Sequence, residues 1–132
     1  MSDIRSAVQE LAVADAGSRY LDEVVAEVLG WNRVATTFVD DDGREQGRTI
    51  WQDSNGATRE HVANYTTDLQ TAYEFARSLD LSGCGGCSWE EGRAGAKIGM
   101  SANAISAATP ALALCIATLL NLLIQQISAA DK

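Results

Sequence analysis

From Thr109-Pro110 onward the chain runs apolar from Ala111 to Ile124, broken only by Thr118 and Asn121. Threonine is a good N-cap and proline suits the first helical position, so a helix starts here. Leu112, Ile116, Leu119 and Leu123 fill one face, and Leu114, Leu120, Leu122, Ile124 and Ile127 carry apolar character around much of the rest. A helix apolar on nearly every side has to be surrounded by other elements. The stretch falls short of the roughly 20 residues needed to span a bilayer, so the cover must be protein. One sheet cannot supply all of it in a chain of 132 residues. A second copy packing on this helix is the natural inference; the alternative, compatible with it, is that an N-terminal helix with Ile4, Val8, Leu11 and Ala12 folds back on it.

That length allows one core and excludes a multidomain enzyme. With 46% hydrophobic and 21% charged residues, the composition is globular. Eighteen acidic residues against ten basic ones leave a net charge of -8. General attraction to nucleic-acid backbone or an anionic membrane is therefore not expected, and any bound phosphate must be met locally. The start, MSDIRSAVQE, lacks a basic segment followed by an apolar run, so a cytoplasmic location is expected. Cys84, Cys87 and Cys115 are an odd number, and no disulfide framework is expected.

Helix is expected through the first thirty residues, with a break near Ala16-Gly17-Ser18. Ser18 is a plausible N-cap, Leu21, Val24, Val25 and Val28 form one stripe, and Gly30 ends it. Asp22, Glu23 and Glu27 would then face solvent. The β-branched run from Arg33 to Val39, the turn cluster Asp40-Asp41-Asp42-Gly43 and Thr49-Ile50-Trp51 predict a hairpin, followed by a second turn at Asp53-Ser54-Asn55-Gly56. Thr67 and Gln70 form a capping box for a second helix, with Leu69, Ala72, Tyr73, Ala76 and Leu79 as its buried stripe. Cys87 to Glu91, a turn at Gly92-Arg93-Ala94-Gly95 and Ala96 to Ser101 predict a second hairpin. The order helix-strand-strand-helix-strand-strand-helix predicts an α+β domain with a four-stranded, largely antiparallel sheet layered with helices.

Three stretches, in this order, carry a resemblance: LDEVVAEVLGW (Leu21 to Trp31), ANYTTDLQTAYEFA (Ala63 to Ala76) and SAATPALALCIATL (Ser106 to Leu119). They resemble the phage ABA-sandwich domain family, in which a strand runs into a Thr-Asp-capped helix and a threonine-proline helix start precedes alanine, leucine and a cysteine. The resemblance covers residues 18–128, within a single domain of 1–132 whose residues 1–17 are an additional helical segment. It implies a phage protein. Similar phage proteins act as Thoeris anti-defence sponges, oligomers that sequester cyclic ADP-ribose-type signals or cyclic oligonucleotides without cleaving them. A homo-oligomer through the C-terminal helix fits that implication; the alternative is an accessory protein that binds a host protein through the same helix.

A binder of such a nucleotide needs donors for phosphate, an aromatic face for the base and polar groups for ribose. Arg93 and Lys97 in the second hairpin are the candidate cations, unless they are solvated charges balancing Glu90 and Glu91. Ser101 and Asn103 lead toward the helix capped by Thr109, and Asn64, Tyr65 and Thr66 lead into the second helix, so two helix N-termini can converge on one pocket. Trp89, with Trp31, Trp51 and Tyr65, supplies stacking candidates, Trp31 being assigned to packing. Cys84-Gly-Gly-Cys87 has only Cys115 and the single His61 to complete a ligand set, and a glycine-rich turn is its simplest reading. No catalytic constellation stands out, and no cofactor or metal is expected.

Overall fold

The computed structural model describes residues 3–79, 85–98 and 105–130. In chain order it contains α1 (Ile4–Val13), α2 (Arg19–Val28), β1 (Asn32–Val39), β2 (Glu45–Gln52), β3 (Thr58–Arg59), α3 (Leu69–Leu79), β4 (Gly85–Glu90), β5 (Arg93–Ile98), β6 (Ile105–Ala107) and α4 (Pro110–Ala130). Among the described residues no helix is long and apolar enough to cross a membrane.

Local chemistry places most of these boundaries. The Ser18 side chain accepts the Leu21 N–H and caps α2. At the other end Gly30, with φ of +97°, lets the Trp31 N–H reach the Ala26 carbonyl and its own N–H reach that of Glu27, the pairing of a Schellman cap. Thr109 Oγ1 accepts the Leu112 N–H at 3.2 Å, and Pro110 follows it as the first helical residue. The two aspartate turns share one design. In each, the aspartate carboxylate accepts N–H groups two and four residues on, Asp42 and Arg44 for Asp40, Asn55 and Ala57 for Asp53. Gly43 and Gly56 supply the left-handed residue that each turn then needs.

The α+β class is as expected, but the sheet is not a four-stranded one. β1, β2 and β3 form one antiparallel three-stranded sheet, and β4, β5 and β6 form another. Each hairpin takes its third strand from a nearby stretch of chain instead of joining the other hairpin across α3, in keeping with the preference for short connections. The turn in the second hairpin is also shorter than expected: only Glu91-Gly92 separates β4 from β5, so Arg93 opens a strand.

α4 is the axis of the core. Residues 111–119 are buried all round, packed against α1, α3, β4, β5 and β6. Ile4, Ala7 and Leu11 of α1 supply the cover that the sequence left open between an N-terminal helix and a second copy, and Ala94, Ala96 and Ile98 alternate inward from β5. Past Leu119 the cover thins. Leu120, Leu122 and Leu123 are partly buried, and Ile124 is 60% exposed. α3 presents Ala72, Phe75 and Ala76 inward, while Leu69 and Tyr73, expected on the buried stripe, are exposed. Phe75 is the larger anchor, and its ring meets Tyr65 edge to face at 5.1 Å.

The first hairpin projects from this body, exposed along most of its length. Its root is fixed by Trp51, which is 4% exposed, and by Arg33 opposite it in register. The Arg33 guanidinium stands 5.1 Å from the Trp51 ring and pairs with Glu27 and Glu23 of α2 at 3.1 and 3.6 Å.

Candidate functional site

Asp22, expected to face solvent from the first turn of α2, is 1% exposed. Its Oδ1 accepts the Thr66 N–H at 2.7 Å and the Thr66 hydroxyl at 2.6 Å, and its Oδ2 accepts the Thr67 hydroxyl at 3.1 Å. Thr66 Oγ1 in turn accepts the Ser18 N–H at 3.2 Å. A buried carboxylate is tolerable only with such a set of donors, and here they all come from the segment leading into α3. Gly17 permits the approach, because a Cβ there would lie 1.8 Å from the Thr66 carbonyl oxygen. On its other side the segment is held by α4, whose Cys115 thiol donates to the Tyr65 carbonyl at 3.1 Å. Burial, assisted by the nearby Asp22 charge, pushes the Cys115 pKa up.

With Thr67 committed to Asp22, the cap of α3 moves one residue on. Asp68 Oδ2 accepts the Thr71 N–H at 3.3 Å and its hydroxyl at 2.7 Å, and Gln70 turns outward to Glu74 instead of closing a capping box. The hydrogen bonds to Thr71 hold the Asp68 carboxyl below its usual range.

This knot builds one wall of a shallow, open pocket of about 340 Å³ lined by Gly17, Thr66, Thr67, Leu69, Thr109 and the first turn of α4 at Pro110 and Ala111. The starts of α2, α3 and α4 meet there. The N–H groups of Leu69 and Ala111 have no intrahelical acceptor, since they fall in the first turn of their helices. Thr109 Oγ1 already accepts a backbone N–H, so its proton is available to donate. The Thr67 hydroxyl gives its proton to Asp22 and therefore offers an acceptor. Residues of two helix N-termini thus line the pocket, the helix end that the dipole makes favourable to an anion, and the Thr67 hydroxyl stands beside them as an acceptor.

The other candidate residues lie elsewhere. Tyr65 points away from this cavity into a second one of about 410 Å³, lined also by Trp31, Phe75, Thr71, Glu74 and Ser54. Burial raises the Tyr65 pKa, although a hydrogen bond from Trp31 works against it. Trp89 and Arg93 share a third pocket of about 370 Å³, less open than the other two, with Ser88, Glu90 and Ser106. There Arg93 is paired with Glu90 at 2.7 Å and is largely exposed, and Trp89 is 75% exposed. Lys97 and Asn64 are exposed and line none of the three cavities. Ser101, Asn103 and Cys84 lie outside the described residues. The second hairpin and the helix starts, expected to share a pocket, therefore border separate ones. Trp51 belongs to the core, and Cys87 is exposed on β4.

Of the residues that line this pocket, Thr66 and Thr109 were binding candidates from the sequence, whereas Gly17 and Thr67, and Asp22 behind them, were not. No spacing signals Asp22, because an acidic residue in a first helical turn is ordinarily a solvated dipole partner. No family model, curated protein or solved structure matches the chain.

Proposed function

We propose that this chain is a non-enzymatic binding protein that sequesters a cyclic ADP-ribose-type or cyclic oligonucleotide immune signal, acting as a phage anti-defence sponge. The observation that carries the reading is the pocket where three helices begin, lined by the first residues of α3 and α4 and by Thr67, whose hydroxyl can accept. A phosphate fits the helix starts, and ribose hydroxyls or an exocyclic amine fit the acceptor. The volume of about 340 Å³ suits one nucleotide unit. Arg93 lines a different pocket, with Trp89, and is paired there with Glu90.

The test is incubation of the purified protein with a panel of cyclic ADP-ribose isomers and cyclic oligonucleotides, followed by filtration, heat denaturation and chromatography of what is released. Recovery of one intact compound supports sequestration. A converted product means an enzyme, and a panel left wholly in the filtrate refutes the reading. A second reading, attachment to a host protein through the end of α4, is favoured by Ile124, exposed among the partly covered Leu120, Leu122 and Leu123.

A further inference from the structure

Among the described residues β1 lies at the outer edge of its sheet, with β2 on one side and no strand on the other. Natural edges are blunted by charge, proline or a bulge. Val34-Ala35-Thr36-Thr37-Phe38-Val39 carries none of these: it is uncharged, lacks glycine and proline, and pairs with β2 in unbroken register. The corresponding stretch of β2 is protected by Glu45 and Arg48. A two-stranded ribbon exposed on both faces is at most marginally stable alone. Yet this one exposes Val34 at 37% and Phe38 at 46%.

The hydrogen-bonding direction along this edge follows from the turn. The Asp40 N–H bonds the Arg44 carbonyl at 2.9 Å, so Asp40 points its backbone groups inward, toward β2. Alternation along an antiparallel pair then turns Thr36 and Phe38 inward as well. Arg33, Ala35, Thr37 and Val39 turn their N–H and C=O groups to the open edge.

We propose that this edge pairs antiparallel with β1 of a second copy of the chain, about a two-fold axis at Thr36. In that register Arg33 meets Val39 of the other copy and Ala35 meets Thr37, so every outward-facing donor and acceptor of the strand finds a partner. Val34 lies beside Phe38 of the other copy, an aromatic and β-branched pair of the kind that stabilises sheets. With Ile50 next to Val34 on β2, the two three-stranded sheets become one continuous sheet that gathers Val34, Phe38 and Ile50 of both copies on one face, beside Gln46 and Arg48. A shift by one residue would oppose outward-facing groups to inward-facing ones, and a shift by two would set Val34 against Asp40. The strand is complementary to itself in hydrogen bonding and side-chain pairing together, which is why the occupant is a second copy.

The test is sedimentation velocity over a concentration series, with Ala35→Pro as the edge variant. Proline there removes an outward N–H and leaves the β1–β2 bonds intact. The wild type is expected to reach twice the monomer mass, and Ala35→Pro to raise the dissociation constant at least tenfold. Oxidation of Thr36→Cys, with Cys84 and Cys87 changed to serine, tests the register without depending on how the proline variant folds. Opposed residues of a non-hydrogen-bonded pair sit about 4.5 Å apart, within disulfide reach. Thr36→Cys is therefore expected to cross-link, whereas Phe38→Cys, about 13 Å from its counterpart at about 3.3 Å per residue, is not. A monomer at every concentration overturns the proposal. So does a dimer that survives Ala35→Pro, including one dissociated by Ile124→Glu, or cross-linking at 38 in preference to 36.

Discussion

Replacing Asp22 by alanine or by asparagine separates the two things its carboxylate does, which are to satisfy the Thr66 backbone N–H and to supply charge. Asparagine keeps Oδ1 against Thr66 and offers its amide to Thr67, whose hydroxyl can rotate to accept. Only the charge assistance is lost, at a cost of about 1–2 kcal/mol. Alanine leaves the buried Thr66 N–H without an acceptor, which by itself costs about 1–3 kcal/mol, and removes both hydroxyl contacts. Part of that is returned because a buried carboxylate no longer has to be desolvated. The net expectation is about 3 kcal/mol for Asp22→Ala, or roughly 10 °C in Tm for a chain of this size. Urea unfolding followed by tryptophan emission measures it, since Trp51 moves from 4% exposure to full solvation. An Asp22→Ala variant within 1 kcal/mol of wild type, or an asparagine variant weaker than the alanine one, would refute this account of the knot.

Gly17→Ala forces a Cβ toward a backbone oxygen that cannot rotate away, so it should destabilise at least as much as Asp22→Ala in the same assay. Leu69→Pro sits at the first position of α3, where proline is tolerated, and removes one cavity N–H; it should leave urea unfolding nearly unchanged while weakening ligand retention about tenfold, and unchanged retention would remove that N–H from the site. Because burial raises the Cys115 pKa in the folded state, the thiol keeps its proton while the unfolded thiol ionises above about pH 8.5. The stability this contributes is complete below that pH and falls above it by up to about 1.4 kcal/mol per pH unit, a slope that Cys115→Ala should lack between pH 8.5 and 10. In alkylation of the native protein, Cys87 should label readily and Cys115 only after denaturation.

What could be read from the sequence was local. Ser18, Gly30, Thr109-Pro110 and the two Asp-x-x-Gly turns each act within a few residues, and the structure uses them as expected. What could not be read depends on contacts across the chain. Thr67 looks like a cap until Asp22, 45 residues away in sequence, claims its hydroxyl. α3 has two overlapping apolar stripes, one through Leu69 and Tyr73 and one through Phe75, and only packing against Tyr65 decides between them. Sheet pairing failed for the same reason: a hairpin is specified by its own turn, but nothing within Asn32–Gln52 or Gly85–Ile98 states whether the two should meet.

Helix α2 also separates the two surfaces proposed to bind. Its N-terminal end carries Gly17 and Asp22 at the cavity, and its C-terminal end leads through Gly30 and Trp31 into the arm. Ten helical residues at about 1.5 Å each put these ends about 15 Å apart. Pairing along β1 would therefore leave the cavity open in each copy, and none of the residues that line it belongs to the arm. The wall of the pocket is held by the Asp22 carboxylate, the Gly17 approach and the Cys115 thiol, the preorganisation that the proposed binding would draw on. The arm, by contrast, is anchored at its root by Trp51 and Arg33 and further out by the Arg48–Glu60 ion pair on β2, and among the described residues no strand pairs with the outer edge of β1. The Asp22–Thr66 contacts thus lie at one end of α2 and the edge proposed to pair lies beyond the other, so the two proposals can be tested independently.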